Sequence, residues 1–169
     1  MKIRHEKPAD RAAVRRINEQ AFRQGNEADL VEALNSAGAA VLSLVAVDGR
    51  NIVGHIMFSA VTVESASGLR GAIGLAPMAV LPERQKQGVG SMLVRAGLDE
   101  LREMGHEAVF VLGHPSYYPG FGFVRASTYR CRWESEAPDE AFMAIELKPG
   151  ALSGRPGGVV RFRAEFEAV

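Results

Sequence analysis

The stretch of this chain best placed to do chemistry is Gln85-Lys86-Gln87-Gly88-Val89-Gly90-Ser91. It is a glycine-containing turn that follows the strand-like run 76–81 and opens a helix. A helix N-terminus presents several unpaired N–H groups and about half a positive charge, and glycines let an anion approach that backbone closely. The turn therefore reads as a phosphate site. A nucleotide P-loop would need Gly-Lys-Ser/Thr, with the lysine on the phosphates and the hydroxyl on magnesium, whereas Ser91-Met92-Leu93 follow the second glycine here. A dinucleotide fingerprint would want a small residue where Leu93 stands and an acid at the end of the next strand, whereas Glu107 precedes that strand.

Other residue types capable of proton transfer or nucleophilic attack are scattered. His114 follows the apolar run 108–112, where a strand end meets a site, and an imidazole with a reference pKa near 6.5 suits proton transfer. Glu64 ends a strand, and Glu83 follows Pro82 and shapes the turn. The four histidines, His5, His55, His106 and His114, show no metal-ligand spacing, so no metal is expected. Cys131 is the only cysteine, which excludes an internal disulfide, and its neighbours lack the histidine that would activate a thiolate.

The elements that must position these residues follow from periodicity. Residues 2–5 form a short edge strand; Pro8 and Asp10 announce a helix to Phe22 with Val14, Ile17, Ala21 and Phe22 on its buried stripe. Asn26, with Asp29 three residues on, caps a second helix that carries Leu30, Val31 and Leu34 and ends at Gly38. Strands 41–47, 52–63 and 71–80 are joined by short turns, Asp48-Gly49 and 65–68, and so form an antiparallel meander, with Gly54 a close approach or bulge. Val89, Met92, Leu93, Ala96 and Leu101 recur at helical spacing up to Gly105. The apolar run 108–112 after that helix implies a parallel crossover from 71–80, hence a mixed sheet. Residues 123–125 and 142–147 close the sheet. In the Gly- and Pro-rich tail from Lys148, Val160, Phe162, Ala164 and Phe166 alternate with polar residues and predict a late strand.

Of the 169 residues, 47% are hydrophobic and 24% charged, the balance of one globular core. A single domain over 1–169 is expected, with a core at 2–147 and an extension at 148–169. Twenty Lys plus Arg against 20 Asp plus Glu give a net charge of zero, without the basic footprint that nucleic acid or an anionic membrane would select. Charges at Lys2, Arg4 and Glu6 occupy the place of a signal-peptide core, and no run approaches the roughly 20 apolar residues of a membrane span. A cytoplasmic location is expected.

The turn Gln85-Lys86-Gln87-Gly88-Val89-Gly90 resembles the Gln/Arg-x-x-Gly-x-Gly/Ala turn of the GCN5-related N-acetyltransferase (GNAT) family. Its context adds to the match: Met78-Ala79-Val80-Leu81-Pro82 precedes it, an amphipathic helix follows, and Tyr118-Pro119-Gly120-Phe121-Gly122-Phe123 comes after the next strand. The resemblance covers 2–147 in element order as well as motifs. It implies the α/β (α+β) acyl-CoA N-acyltransferase fold, with helices on both faces of a mixed sheet, and acetyl-CoA as co-substrate. The N–H groups of Gln87, Gly88, Val89, Gly90 and Ser91, within the turn from Gln85 and Lys86, would hold its pyrophosphate. The main chain of Met78, Ala79 and Val80 would meet the pantetheine arm where the sheet splays, with the oxyanion near the N–H of Val80. The family pattern places the acid that protonates the CoA sulfur at Tyr118, with Tyr117 adjacent; packing alone is the other reading of both rings.

In the same fold the loop between the first two helices borders the acceptor, which brings forward Glu27, Asp29 and Glu32 as general bases, Glu27 first, against the plainer reading of solvated helix carboxylates. The implied reaction is acetyl transfer to a primary amine, most readily of a small molecule, by direct attack in a ternary complex. Acetylation of protein lysines or N-termini, and a CoA-binding sensor without turnover, are the rival readings. A toxin that charges aminoacyl-tRNA would want a basic surface. The resemblance is thinnest after Phe123, where Arg130-Cys131-Arg132-Trp133 and the tail from Leu152 either shape the acceptor pocket or form a homodimer contact; Trp133 and Phe142 line an apolar pocket or, on the plainer reading, belong to the core.

Overall fold

A computed structural model describes residues 1–168. Among them are nine strands, three α-helices and several short 3-10 turns. The chain divides into two compact units: Met1–Ser59, Ala76–Asp99 and the segment from Ala164 form the first, and Ala60–Leu75 with Glu100–Arg163 the second.

In the first unit, β1 (Lys2–His5), β2 (Ala40–Asp48) and the first part of β3 (Asn51–Ser65) are antiparallel neighbours. Asp48 pairs with Asn51 across a two-residue turn in which Gly49 has φ 62°. Pro8–Asp10 form a 3-10 turn, held by Lys7 N–H on Asp10 Oδ2 at 2.7 Å, before α1 (Arg11–Phe22) begins. Val14 and Ile17 are buried as expected, but Phe22 is 38% exposed, because the helix ends there in a left-handed Arg23. α2 (Asn26–Ser36) starts one residue earlier than its expected cap: Gly25 is the N-cap, and its carbonyl accepts from Asp29 N–H at 2.8 Å.

Pleating explains how β3 takes helices on both sides. Met57 joins Val14, Leu30, Val31 and Leu34 of α1 and α2 in one cluster with Val45 and Ala76. Gly54 and Phe58 point the other way, at α3 (Val89–Glu103). A Cβ on Gly54 would stand 3.0 Å from both Leu93 and Val89, and one on Gly97 of α3 2.5 Å from the Phe58 ring. Gly54 is thus a close approach, and the register slips beside it, between Ala46 and Val47.

In the second unit, β4 (Gly68–Val80) pairs in parallel with β5 (Ala108–Leu112) through Ile73↔Val109 and Gly74↔Phe110. This is the expected crossover, and the sheet is mixed. β8 (Phe142–Glu146) is antiparallel to β5 and to β6 (Val124–Arg125). β9 (Gly158–Arg161) pairs with the end of β3 and in parallel with β7 (Cys131–Trp133), a three-residue strand that periodicity does not reveal. The late strand is shorter than alternation predicts: it stops at Arg161, and Ala164–Ala168 form a 3-10 turn whose Phe166 packs on the α1/α2 cluster. Glu146 anchors the Gly/Pro-rich tail by accepting the N–H groups of Leu152 at 2.9 Å and Ser153 at 3.1 Å. No described helix is long and apolar enough to cross a membrane.

Candidate functional site

β4 ends at Val80, and a 3-10 turn, Pro82–Arg84, leads into the glycine segment. Two glutamine side chains hold this turn onto its own backbone: Gln85 Nε2 donates to Val80 O at 3.0 Å, and Gln87 Nε2 to Glu83 O at 2.9 Å. Arg84 is tied to Asp48 at 2.6 Å, and Leu81 N–H to Val53 O at 3.0 Å. The chain then turns through two left-handed residues, Lys86 at φ 60° and Gly88 at φ 86°. Bonding into α3 starts with Met92 N–H on Gly88 O at 3.0 Å. The N–H groups of Val89, Gly90 and Ser91 thus lie at the open end of the helix. Gln85, Lys86, Gln87 and Gly88 are exposed, and a Cβ on Gly88 would meet nothing within 4 Å. Such a cradle fits a diphosphate. Met78 is half-buried and Ala79 and Val80 are buried, all three lying beyond the two β4–β5 pairs, which stop at Gly74.

Tyr118 belongs to the second unit. It opens a 3-10 turn, Tyr118–Phe121, after β5, and is 6% exposed, while Tyr117 is half-buried. Its ring stands edge-on to Tyr117 at 5.1 Å and to Phe123 at 5.5 Å between centroids. It lies directly on Gly113, where a Cβ would come within 2.4 Å of it. Burial, then Tyr117 alongside, raises the phenol pKa above the ordinary tyrosine value, so the group stays protonated at neutral pH. Its hydroxyl has no hydrogen-bond partner among the described residues.

The three candidate bases on α2 separate sharply. Arg15 binds Asp29 at 3.0 Å, Glu32 at 2.8 Å and Glu19 at 2.8 Å, so two of the three are already paired. Its own pKa is raised by these hydrogen bonds, that to Glu32 first. Glu27 lies outside the clamp, half-buried, accepting only from Gln24 at 3.0 and 3.2 Å. Glu64 is held by Arg161 at 2.7 Å; Glu83 and His114 are exposed, and His114 serves through its carbonyl, which accepts from Tyr117 N–H at 3.1 Å.

The family profile described as Acetyltransferase (GNAT) domain matches residues 2–126. The chain belongs to the GNAT acetyltransferase family. Among GNAT proteins, that of Escherichia coli (strain K12) described as uncharacterized N-acetyltransferase YhbS is 36% identical over 169 residues, 98% of each chain. The crystal structure of YhbS from Escherichia coli in complex with CoA matches at TM-score 0.92 and 35% identity, over 98% of this chain and 91% of that one. A GNAT acetyltransferase from Brucella melitensis in complex with acetyl-CoA matches at TM-score 0.80 and 36% identity, over 98% and 97%.

Two features of this GNAT chain escape sequence reasoning. One is a buried polar chain in the first unit. Ser43 Oγ donates to Glu6 and lies 2.9 Å from His55 Nε2, while Asn18 Nδ2 lies 3.4 Å from His55 Nδ1. Its members come from the residue after β1 and from α1, β2 and β3, and no local spacing announces them. The other, of which the sequence brings forward only Trp133 and Phe142, is a cavity of about 680 Å³ in the second unit with both of these and Cys131 in its lining. The Cys131 thiol there is buried and its pKa is pushed up by that burial, away from nucleophilic use. Glu136 and Asp139 of the cavity's lining belong to a carboxylate run from Glu134 to Glu140 that contains no lysine or arginine.

Proposed function

We propose that this protein, as one domain over residues 1–169, transfers the acetyl group of acetyl-CoA to a primary amine of a small molecule, by direct attack in a ternary complex. The observation that carries the reading is the turn at 85–91: two glutamine–backbone bonds and two left-handed residues fix the open end of α3 toward solvent as a diphosphate cradle. The complexes of two relatives with CoA and acetyl-CoA support the same cofactor here. Gln85 and Lys86 shape the turn, and Gln87, Gly88, Val89, Gly90 and Ser91 hold the pyrophosphate by their N–H groups. Met78, Ala79 and Val80, free of the β4–β5 ladder, offer main-chain groups to the pantetheine arm.

Aminolysis of the thioester forms an N–C bond and breaks the C–S bond, so one proton must leave the amine and one must reach sulfur. Tyr118 supplies the second: a buried, protonated phenol whose hydroxyl is uncommitted. Glu27, the α2 candidate outside the Arg15 clamp, takes the first through water. The N–H of Val80 steadies the oxyanion. Calorimetric titration with acetyl-CoA, beside ATP and NAD, tests the reading. Saturable binding of acetyl-CoA alone is expected; a folded protein that binds none of the three would overturn it.

A further inference from the structure

The cavity of about 680 Å³ in the second unit has the size of a small-molecule site. Cys131 and Phe142 are buried in its lining, Phe142 backed by a stack on Phe110 with centroids 5.7 Å apart. The half-buried Trp133 forms a wall. The rim is acidic. Glu134, Glu136, Asp139 and Glu140 fall within seven residues, and no lysine or arginine occurs between Arg132 and Lys148. Two of the four are engaged: Glu134 accepts from Arg161 at 3.4 Å and from Phe162 N–H at 3.2 Å, and Asp139 meets Arg125 at 3.2 Å. Glu136, which lines the cavity, has no hydrogen bond or ion pair among the described residues. Arg132 is the cation in the lining, and its Nη1 donates to Trp133 O at 3.4 Å.

This cavity connects to the proposed acid through short steps inside one unit. Phe142 pairs with Leu112, the last residue of β5, which is 44% exposed. Gly113 N–H donates to Ala141 O at 2.9 Å, and Gly113 is the residue on which the Tyr118 ring rests.

We infer that the cavity binds the far end of an acceptor with two amines: an alkyl or aryl stem lies along Trp133 and Phe142, and the ammonium at its end meets Glu136 and Asp139. Glu27 on α2 is the carboxylate proposed for the reacting nitrogen, so the cation held at Glu136 is a second one. An aromatic wall adds attraction for that cation. In the balanced step one nitrogen gains the acetyl carbon and gives up a proton, sulfur takes a proton as the C–S bond breaks, and the anchored ammonium is unchanged. The acceptor role rests on the acetyltransferase reading; occupancy of the cavity does not.

Trp133 is the only tryptophan, so its emission reports on this cavity alone. Titration of the full chain with 1,4-diaminobutane is expected to give a saturable change, and butane-1,4-diol and succinate none. Glu136→Gln is expected to weaken the diamine at least tenfold, and Arg132→Gln to tighten it, with acetyl-CoA binding by calorimetry unchanged in both. A response to succinate abolished by Arg132→Gln would make the ligand an anion and overturn the inference, as would an equal response to the diol or no response to any probe. Loss of acetyl-CoA binding with the diamine response intact would instead sink the acetyltransferase reading and leave the cavity assignment standing.

Discussion

Tyr118 and Gly88 carry the sharpest tests at the scale of single residues. In the proposed mechanism the Tyr118 hydroxyl is used only as sulfur departs, so in Tyr118→Phe kcat is expected to fall on the order of a hundredfold while the calorimetric affinity for acetyl-CoA stays within error. Gly88→Val places a β-branched side chain at φ 86°, where only glycine is unstrained, and the turn must shift. Acetyl-CoA is expected to bind at least tenfold more weakly, about 1.4 kcal/mol, by the same calorimetry. The buried chain makes a third residue-scale claim. Burial pushes the Glu6 carboxyl up, but hydrogen bonds from His55 and Ser43 outweigh it and leave the group below the ordinary 4.5. A depressed carboxylate stabilises the fold above its unfolded pKa and loses that contribution as pH falls through the folded value. Between pH 7 and 3 the melting temperature of the native chain is therefore expected to drop more than that of Glu6→Gln. The glycine turn was legible in the sequence because its spacing is local, and Tyr118 was legible through the family resemblance. The Arg15 clamp on Asp29 and Glu32 was not, since a charge on α1 chooses its partners only once α2 lies beside it.

Elements were read best where one period dominates. The amphipathic α3, the apolar β5 and the β2–β3 hairpin all stand where periodicity puts them. β7 did not show, because three residues cannot establish a period, and the tail alternation ran past the strand it predicted since Ala164–Ala168 curl into a 3-10 turn. The seat of α3 on β3 depends on absent side chains at Gly54 and Gly97. Gly97→Ala would drive a methyl to 2.5 Å from Phe58, and a loss of about 1–3 kcal/mol in denaturant unfolding is expected in spite of alanine's better helix propensity.

For the whole molecule, β3, β4 and α3 each contribute residues to both compact units. Neither unit owns a complete set of elements, so heating is expected to give one calorimetric transition whose van't Hoff and calorimetric enthalpies agree; two resolved transitions would contradict the single domain proposed. The first unit also joins Met1–Ser59 to the segment from Ala164, whose Phe166 packs against the cluster built by α1 and α2. On the ribosome, then, the N-terminal elements are made early but must wait, through the synthesis of residues 60–163, for the segment that finishes covering them. Through that interval the part of the apolar face that Phe166 covers lacks its partner, and the first unit closes later than the order of its N-terminal elements alone would suggest.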